Sequence, residues 1–147
     1  MNSILNIRLS TFFIIVAIIS FGCSGGGVRV SNNMEPYALE YIYTHDILDV
    51  DETILAYYDY TISLNGTQCA VITNKRLIYH NEQTKTASFN LDEITKINHY
   101  EKTLEGTFIE VWKEDELMVI NIAPWNYSEV FLNALKHKTS KNNYQDL

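Results

Sequence analysis

Four histidines, two cysteines and one acidic run supply the groups in this 147-residue chain whose types suit catalysis or metal binding. His45, His80, His99 and His137 are scattered, and none stands four residues from another, the spacing that sets two imidazoles on one helix face for a metal. His80 and His99 fall in separate strand-like segments, and a cross-strand meeting beside an acid is the arrangement that would give them general-base chemistry. Asp49, Asp51 and Glu52 alternate as in a calcium loop, but the central glycine and closing glutamate are missing, so a solvated acidic turn is expected. Neither a Gly-x-Ser-x-Gly elbow nor a glycine-rich phosphate loop occurs. Two cysteines exclude a disulfide scaffold and a cysteine-rich zinc site. No metal, cofactor or catalytic set is therefore expected, and the chain reads as no enzyme.

Cys23 belongs to a different pattern. Arg8 is the only charge before the apolar run Phe12–Ile19, and Ser20-Phe21-Gly22-Cys23 then meets Ser24-Gly25-Gly26-Gly27. A basic start, a short apolar stretch and a small residue form the tripartite plan of a secretory signal, and the run is short of the roughly 20 apolar residues that span a bilayer. The segment resembles a bacterial lipoprotein signal. Gly22 and Cys23 match the last two lipobox positions, whereas Ser20 and Phe21 depart from the first two. The resemblance implies a cleaved signal at 1–22 and a lipid on Cys23, whose thiol is the nucleophile able to carry a thioether-linked lipid. Several acyl chains hold a protein firmly where one holds it marginally. Arg8 stays on the cytoplasmic side, so everything beyond the segment is exported. Ser24 after the cysteine resembles the pattern sent to the outer membrane, on its periplasmic face, if the host is Gram-negative. Residues 23–33 then read as the lipidated cysteine and a flexible glycine-rich tether.

Eleven Lys or Arg stand against 18 Asp or Glu, a net charge of −7, with 46% apolar residues, 6 Gly and 2 Pro. This is the composition of one ordinary folded domain, neither disordered nor fibrous. An acidic chain without a basic run is a poor polyanion binder, which excludes nucleic acid as a partner.

Beyond the tether, 34–48 is a lead-in in which Pro36 is placed to open a helix. From Ile54 to Leu64 apolar and polar residues alternate with period two, and Asn65-Gly66 follows as a hairpin signal. A two-residue turn there pairs Leu64 with Thr67, Ile62 with Cys69, Tyr60 with Val71 and Tyr58 with Thr73. That register buries Cys69 as a small hydrophobe, turns Tyr58 and Tyr60 inward, and turns Tyr57 outward with Asp59. Asn65-Gly66-Thr67 also matches a glycosylation sequon, idle in a bacterial host. Further strands follow near 76–80, 86–91, 95–100, 107–113 and 117–122, with Leu91 and Ile94 on a helical turn between two of them. Seven short strands at roughly 8–12-residue spacing mark a sandwich or barrel. After Pro124 the period changes: Asn126 and Glu129 are spaced as a capping box, and Val130, Phe131, Ala134 and Leu135 form the apolar stripe of one helix, placed to close a barrel's open end. Residues 140–147 are expected to fray.

Seven strands and one C-terminal helix resemble the pleckstrin-homology (PH) arrangement: a mainly β, seven-stranded antiparallel roll or barrel capped by a single α-helix, here over 49–139 and behind a cleaved lipoprotein signal segment. Asp51-Glu52-Thr53-Ile54-Leu55, Thr73-Asn74-Lys75-Arg76-Leu77-Ile78-Tyr79 and Leu91-Asp92-Glu93-Ile94 resemble, in this order, the recurring segments of the bacterial pleckstrin-homology domain family. The resemblance implies a binding platform that rarely catalyses. Phosphoinositide-binding members carry cations around the first hairpin loop; Leu64-Asn65-Gly66-Thr67 has none, so no phosphoinositide is expected. Lys75 and Arg76 are expected to shape a turn and pair with nearby acids. The function implied is a membrane-anchored, non-enzymatic interaction module of the cell envelope, held in the bilayer by acylated Cys23 and binding an envelope protein. Two alternatives stand beside it: a small envelope hydrolase or inhibitor using His80 or His99, and a homo-oligomer assembled through exposed strand edges.

Overall fold

The computed structural model describes residues 26–84 and 86–139, together with the backbone of 144–146. The signal segment 1–22 and Cys23 lie outside the described residues. Strands β1 (Ile54–Asp59), β2 (Gln68–Thr73), β3 (Arg76–Asn81) and β4 (Ala87–Asn90) form one antiparallel sheet in that order. In the second sheet β6 (Gly106–Lys113) lies between β5 (Lys96–Lys102) and β7 (Glu116–Ile122), again antiparallel. Helix α1 (Pro36–Thr44) precedes the strands and α2 (Ser128–Lys138) follows them. The expected mainly β body with seven antiparallel strands and one C-terminal helix is what the chain forms.

The main core lies between the inward faces of the two sheets and α2. Ala56, Tyr58, Ile72 and Leu77 from one sheet meet Ile97, Ile109, Val111, Ile120 and Ile122 from the other, and Phe131, Leu132 and Leu135 close the end. Leu91 and Ile94 are both buried in the turn joining the sheets. The apolar face of α2 differs by one position from the expected stripe: Leu132 is buried, and Val130 is 40% exposed.

A second core covers the opposite face of the first sheet. Pro36 starts α1 where a missing N–H costs nothing, and Ala38 and Ile42, one turn apart, point at the sheet. With Met34, Ile47 and Leu48 they pack on Tyr57, Cys69, Val71 and Ile78. Strands β1–β3 are thus covered on both faces, and Tyr57, expected to face solvent, is 1% exposed.

Four further expectations are corrected. The tether is not free over its described part. Val28 is buried, Arg29 exchanges two backbone hydrogen bonds with Tyr57 (2.7 and 2.8 Å), and Ser31–Asn33 form a 3-10 turn, because the outer edge of β1 offers unpaired backbone groups.

The first hairpin does not turn at Asn65-Gly66 alone. Strand β1 ends at Asp59, which stands opposite Cys69, and Tyr58 stands opposite Ala70 rather than Thr73. The Asp59 carboxylate ends the strand by accepting from Thr61 N (2.8 Å), Thr61 Oγ1 (2.6 Å), Gly66 N (2.8 Å) and the Tyr57 hydroxyl. An Asx-centred loop has replaced a two-residue turn. Cys69 therefore points toward α1, still buried, with its thiol pushed well above its ordinary value by burial and then by Asp59.

Asn126 and Glu129 form no capping box. The N-cap is Tyr127, and Asn126 instead donates through Nδ2 to the Tyr58 hydroxyl (3.3 Å). Finally, Tyr144–Asp146 of the tail forms strand β8, parallel to β5 along Ile97–His99, on an edge of β5 that no other strand among the described residues takes.

Candidate functional site

His80, Glu52, Lys75 and Arg76, among the residues singled out as chemical groups, are engaged in structural roles. His80 sits on the α1 side of β3, buried, with Nε2 3.2 Å from the Tyr41 hydroxyl and Nδ1 2.8 Å from Thr86 Oγ1. Burial holds its imidazole below the ordinary value, with His45 adding to the effect and Glu82 opposing it. His99 lies on β5, in the other sheet, so the two histidines are not brought together across neighbouring strands. The acidic run and the Lys75-Arg76 turn meet each other, as the pairing expectation required. The Glu52 carboxylate, fully buried, takes a two-pronged grip from Arg76 Nε (2.9 Å) and Nη2 (2.7 Å), and also accepts from Thr73 Oγ1 and the Asp49 amide (2.8 Å each). Burial pushes this carboxyl up, but Arg76, the Asp49 amide and the Thr73 hydroxyl outweigh it and hold the group below its ordinary value. Lys75 pairs with Asp51 at the surface. Among the described residues no group of three or more His, Cys, Asp or Glu side chains is arranged to hold a metal ion.

A surface groove lies elsewhere. A groove of about 810 Å³ separates the β5–β6 turn from the loop that joins β7 to α2. Its rim carries Leu104, Trp125 and Tyr127, which are 83%, 89% and 64% exposed. All three adopt left-handed backbone, with φ of 70°, 63° and 57°. That conformation costs a non-glycine residue roughly 1–2 kcal/mol and persists only where the surroundings impose it.

Here the surroundings are specific. Asn126, between the two aromatics, accepts from Val28 N (2.9 Å), and Tyr58 reaches the same loop, its hydroxyl accepting from Ala123 N (3.1 Å). Gly27 lies so close to Tyr127 that an added Cβ would stand 3.3 Å from the ring. Thr107 Oγ1 donates to Ser128 Oγ (2.9 Å) and ties β6 to the first turn of α2. Lys102, the last residue of β5, lies 4.7 Å from the centre of the Phe108 ring and 3.5 Å from Glu105. Glu101 and Glu129 also line the groove.

This rim was not among the expected sites. Its signal was present in Ala123-Pro124-Trp125-Asn126-Tyr127, two aromatics in a turn-rich stretch where neither strand nor helix periodicity assigns them to a core. A second feature, the β5 edge, is backbone rather than side chain: Ile97, Asn98 and His99 stand in register with Tyr144, Gln145 and Asp146, so this edge accepts an added parallel strand.

Comparison with known proteins agrees with this architecture. No curated protein matches the chain. Among solved structures it is similar to a DUF1696 family protein with a pleckstrin-homology domain from Shewanella loihica PV-4, with a TM-score of 0.53 and 16% identity over 71% of this chain and 99% of that one. A likeness at that identity concerns the fold alone. The family model described as Bacterial PH domain matches residues 48–137, which is more than half of the chain and includes every antiparallel strand and nearly all of α2, while α1 lies before it. The chain belongs to the Bacterial PH domain family.

Proposed function

We propose that this chain is an exported lipoprotein, held in the membrane by acylated Cys23, whose PH domain is a non-enzymatic module that binds an envelope protein by strand addition. The observation that carries the binding part is the β5 edge, which already takes Tyr144–Asp146 as a short parallel strand. An edge that pairs with three residues of its own tail presents the backbone donors and acceptors that a partner strand would use, and a three-residue ladder is weak enough to be displaced. Anchoring is supported by the sequence pattern around Arg8, Phe12–Ile19, Gly22 and Cys23. The hydrolase alternative in its His80 form is disfavoured by the commitment of both His80 ring nitrogens to Tyr41 and Thr86.

Two measurements test the reading. Intact mass of the protein extracted from its native membrane, beside a Cys23→Ala variant, is expected to show loss of residues 1–22 and added acyl mass in the first only. A photo-crosslinking residue replacing the exposed Lys96 on β5 is expected to trap an envelope protein in cells. Adducts with the chain itself alone would favour self-assembly instead, and no adduct at all would sink the interaction role.

A further inference from the structure

The groove rim and the N-terminal chain meet at one place on the molecule. Residues 26–28 run against the β7–α2 loop: Val28 N is bonded to Asn126 O at 2.9 Å, and Gly27 lies against the Tyr127 ring. Cys23 stands three residues before Gly26, so covalent geometry lets it lie no farther than about 11 Å from that point. A hydrophobic anchor at Cys23, or at the apolar run just before it, therefore brings the bilayer surface to this side of the domain. The same side exposes a leucine, a tryptophan and a tyrosine.

We propose that Leu104, Trp125 and Tyr127 form a membrane seat, entering the headgroup layer of a bilayer beside the anchor and fixing the domain's orientation on it. The inference rests on the reading of residues 1–23 as a membrane anchor. Trp and Tyr rings, apolar in body and polar at the tip, favour the interface between headgroups and acyl chains. All three side chains stand exposed on left-handed backbone, and the bonds of Asn126 to Val28 and Tyr58 hold the loop that carries Trp125 and Tyr127. The charges around the groove select the kind of surface. Glu101 and Glu129 line it, and the cation beside them, Lys102, is engaged by Glu105 and the Phe108 ring. An acidic rim is repelled by anionic lipid, so the seat fits a zwitterionic surface.

The test uses the full chain, purified with whatever anchor it carries and reconstituted into phosphatidylcholine vesicles with brominated acyl chains. A Trp112→Phe background leaves Trp125 as the only tryptophan. The expected result is Trp125 emission shifted to the blue and quenched by bromine, with both effects reduced when half the lipid is phosphatidylglycerol. In the unmodified chain, vesicles are expected to slow amide exchange at 103–105 and 125–129 about tenfold and to leave β2 and β3 unchanged, which guards against any disturbance from Trp112→Phe. Intact mass of the same sample separates the two readings. Quenching with a full-length, unmodified mass keeps the seat and discards the lipid. An acylated mass with Trp125 still open to iodide in water discards the seat and keeps the lipid. Failure of the chain to bind vesicles, or quenching that rises with anionic lipid, overturns the proposal.

Discussion

Arg76 and Glu52 hold the start of the domain together, and their pairing has a cost that depends on which partner is removed. The Glu52 carboxylate has four donors and no exposed surface, so taking away the guanidinium leaves a buried, uncompensated charge. Arg76→Met is expected to lower unfolding free energy by about 3 kcal/mol in urea. Lys75→Ala, which loses only an exposed pair with Asp51, is expected to leave the urea midpoint in place. The pH dependence follows from the same site. Glu52 is held below its ordinary 4.5 in the folded chain, so the unfolded chain takes up its proton first. The contribution is fully present above about 4.5 and is lost as pH falls through the lower folded value. A urea series in acid should therefore show a steep loss of stability below pH 4.5 that is shallower in Glu52→Gln. His80 adds an earlier, gentler loss: its folded value lies below the ordinary 6.5, so the unfolded chain gains a proton first as pH falls below that value. An unchanged profile between pH 6.5 and 5 in His80→Gln would contradict that assignment.

At the scale of elements, α1 is what distinguishes this domain from an isolated roll. Ile42 is fully buried between α1 and the first sheet, so Ile42→Ala is expected to cost about 2–5 kcal/mol in a denaturant melt. Val130→Ala on α2, at a position 40% exposed, should stay within about 0.5 kcal/mol. Equal costs would mean that α1 is not part of the cooperative core. The sequence carried a sign of this second layer. Cys69-Ala70-Val71-Ile72 is an unbroken apolar run, the mark of a strand covered on both faces, but the alternation of β1 argues for one buried face.

Strand number, the C-terminal helix and the Leu91–Ile94 turn were legible because period two, period 3.6 and turn residues are local properties. The register of the first hairpin was not, because it is set by the side chain of Asp59 reaching seven residues ahead to Gly66. Gly66 and Gly106 show the same contrast. Both have left-handed φ, 84° and 98°. A Cβ on Gly66 would meet the Tyr41 ring edge at 3.0 Å, which can give slightly; on Gly106 it would meet the Ile122 carbonyl oxygen at 2.1 Å, which cannot. Thermal melts of Gly106→Ala should show the larger loss, above about 2 kcal/mol, and a milder effect than Gly66→Ala would refute this account of the β6–β7 edge.

For the whole molecule, the two proposed contact surfaces differ in how chain connectivity controls them. The membrane seat is reached through the N-terminal chain, and its occupancy follows the anchor. The β5 edge is reached through the C-terminal chain, because Tyr144–Asp146 follows α2 after a short connection and competes with any partner from within the same molecule. A segment tethered by a few residues acts at an effective concentration in the millimolar range. A free strand of similar sequence is then excluded unless it binds far more tightly than the tail. This predicts a sharp asymmetry. A synthetic peptide copying residues 140–147 should bind, in fluorescence anisotropy, a chain ending at Thr139 and should bind the full chain at least about tenfold more weakly. The shortened chain should keep its melting temperature nearly unchanged, since both cores lie within residues 28–135. Equal binding to both chains would place the peptide somewhere other than the β5 edge. Absence of binding to the shortened chain would show that the edge does not take a strand in trans, and the strand-addition reading of this domain would fall with it.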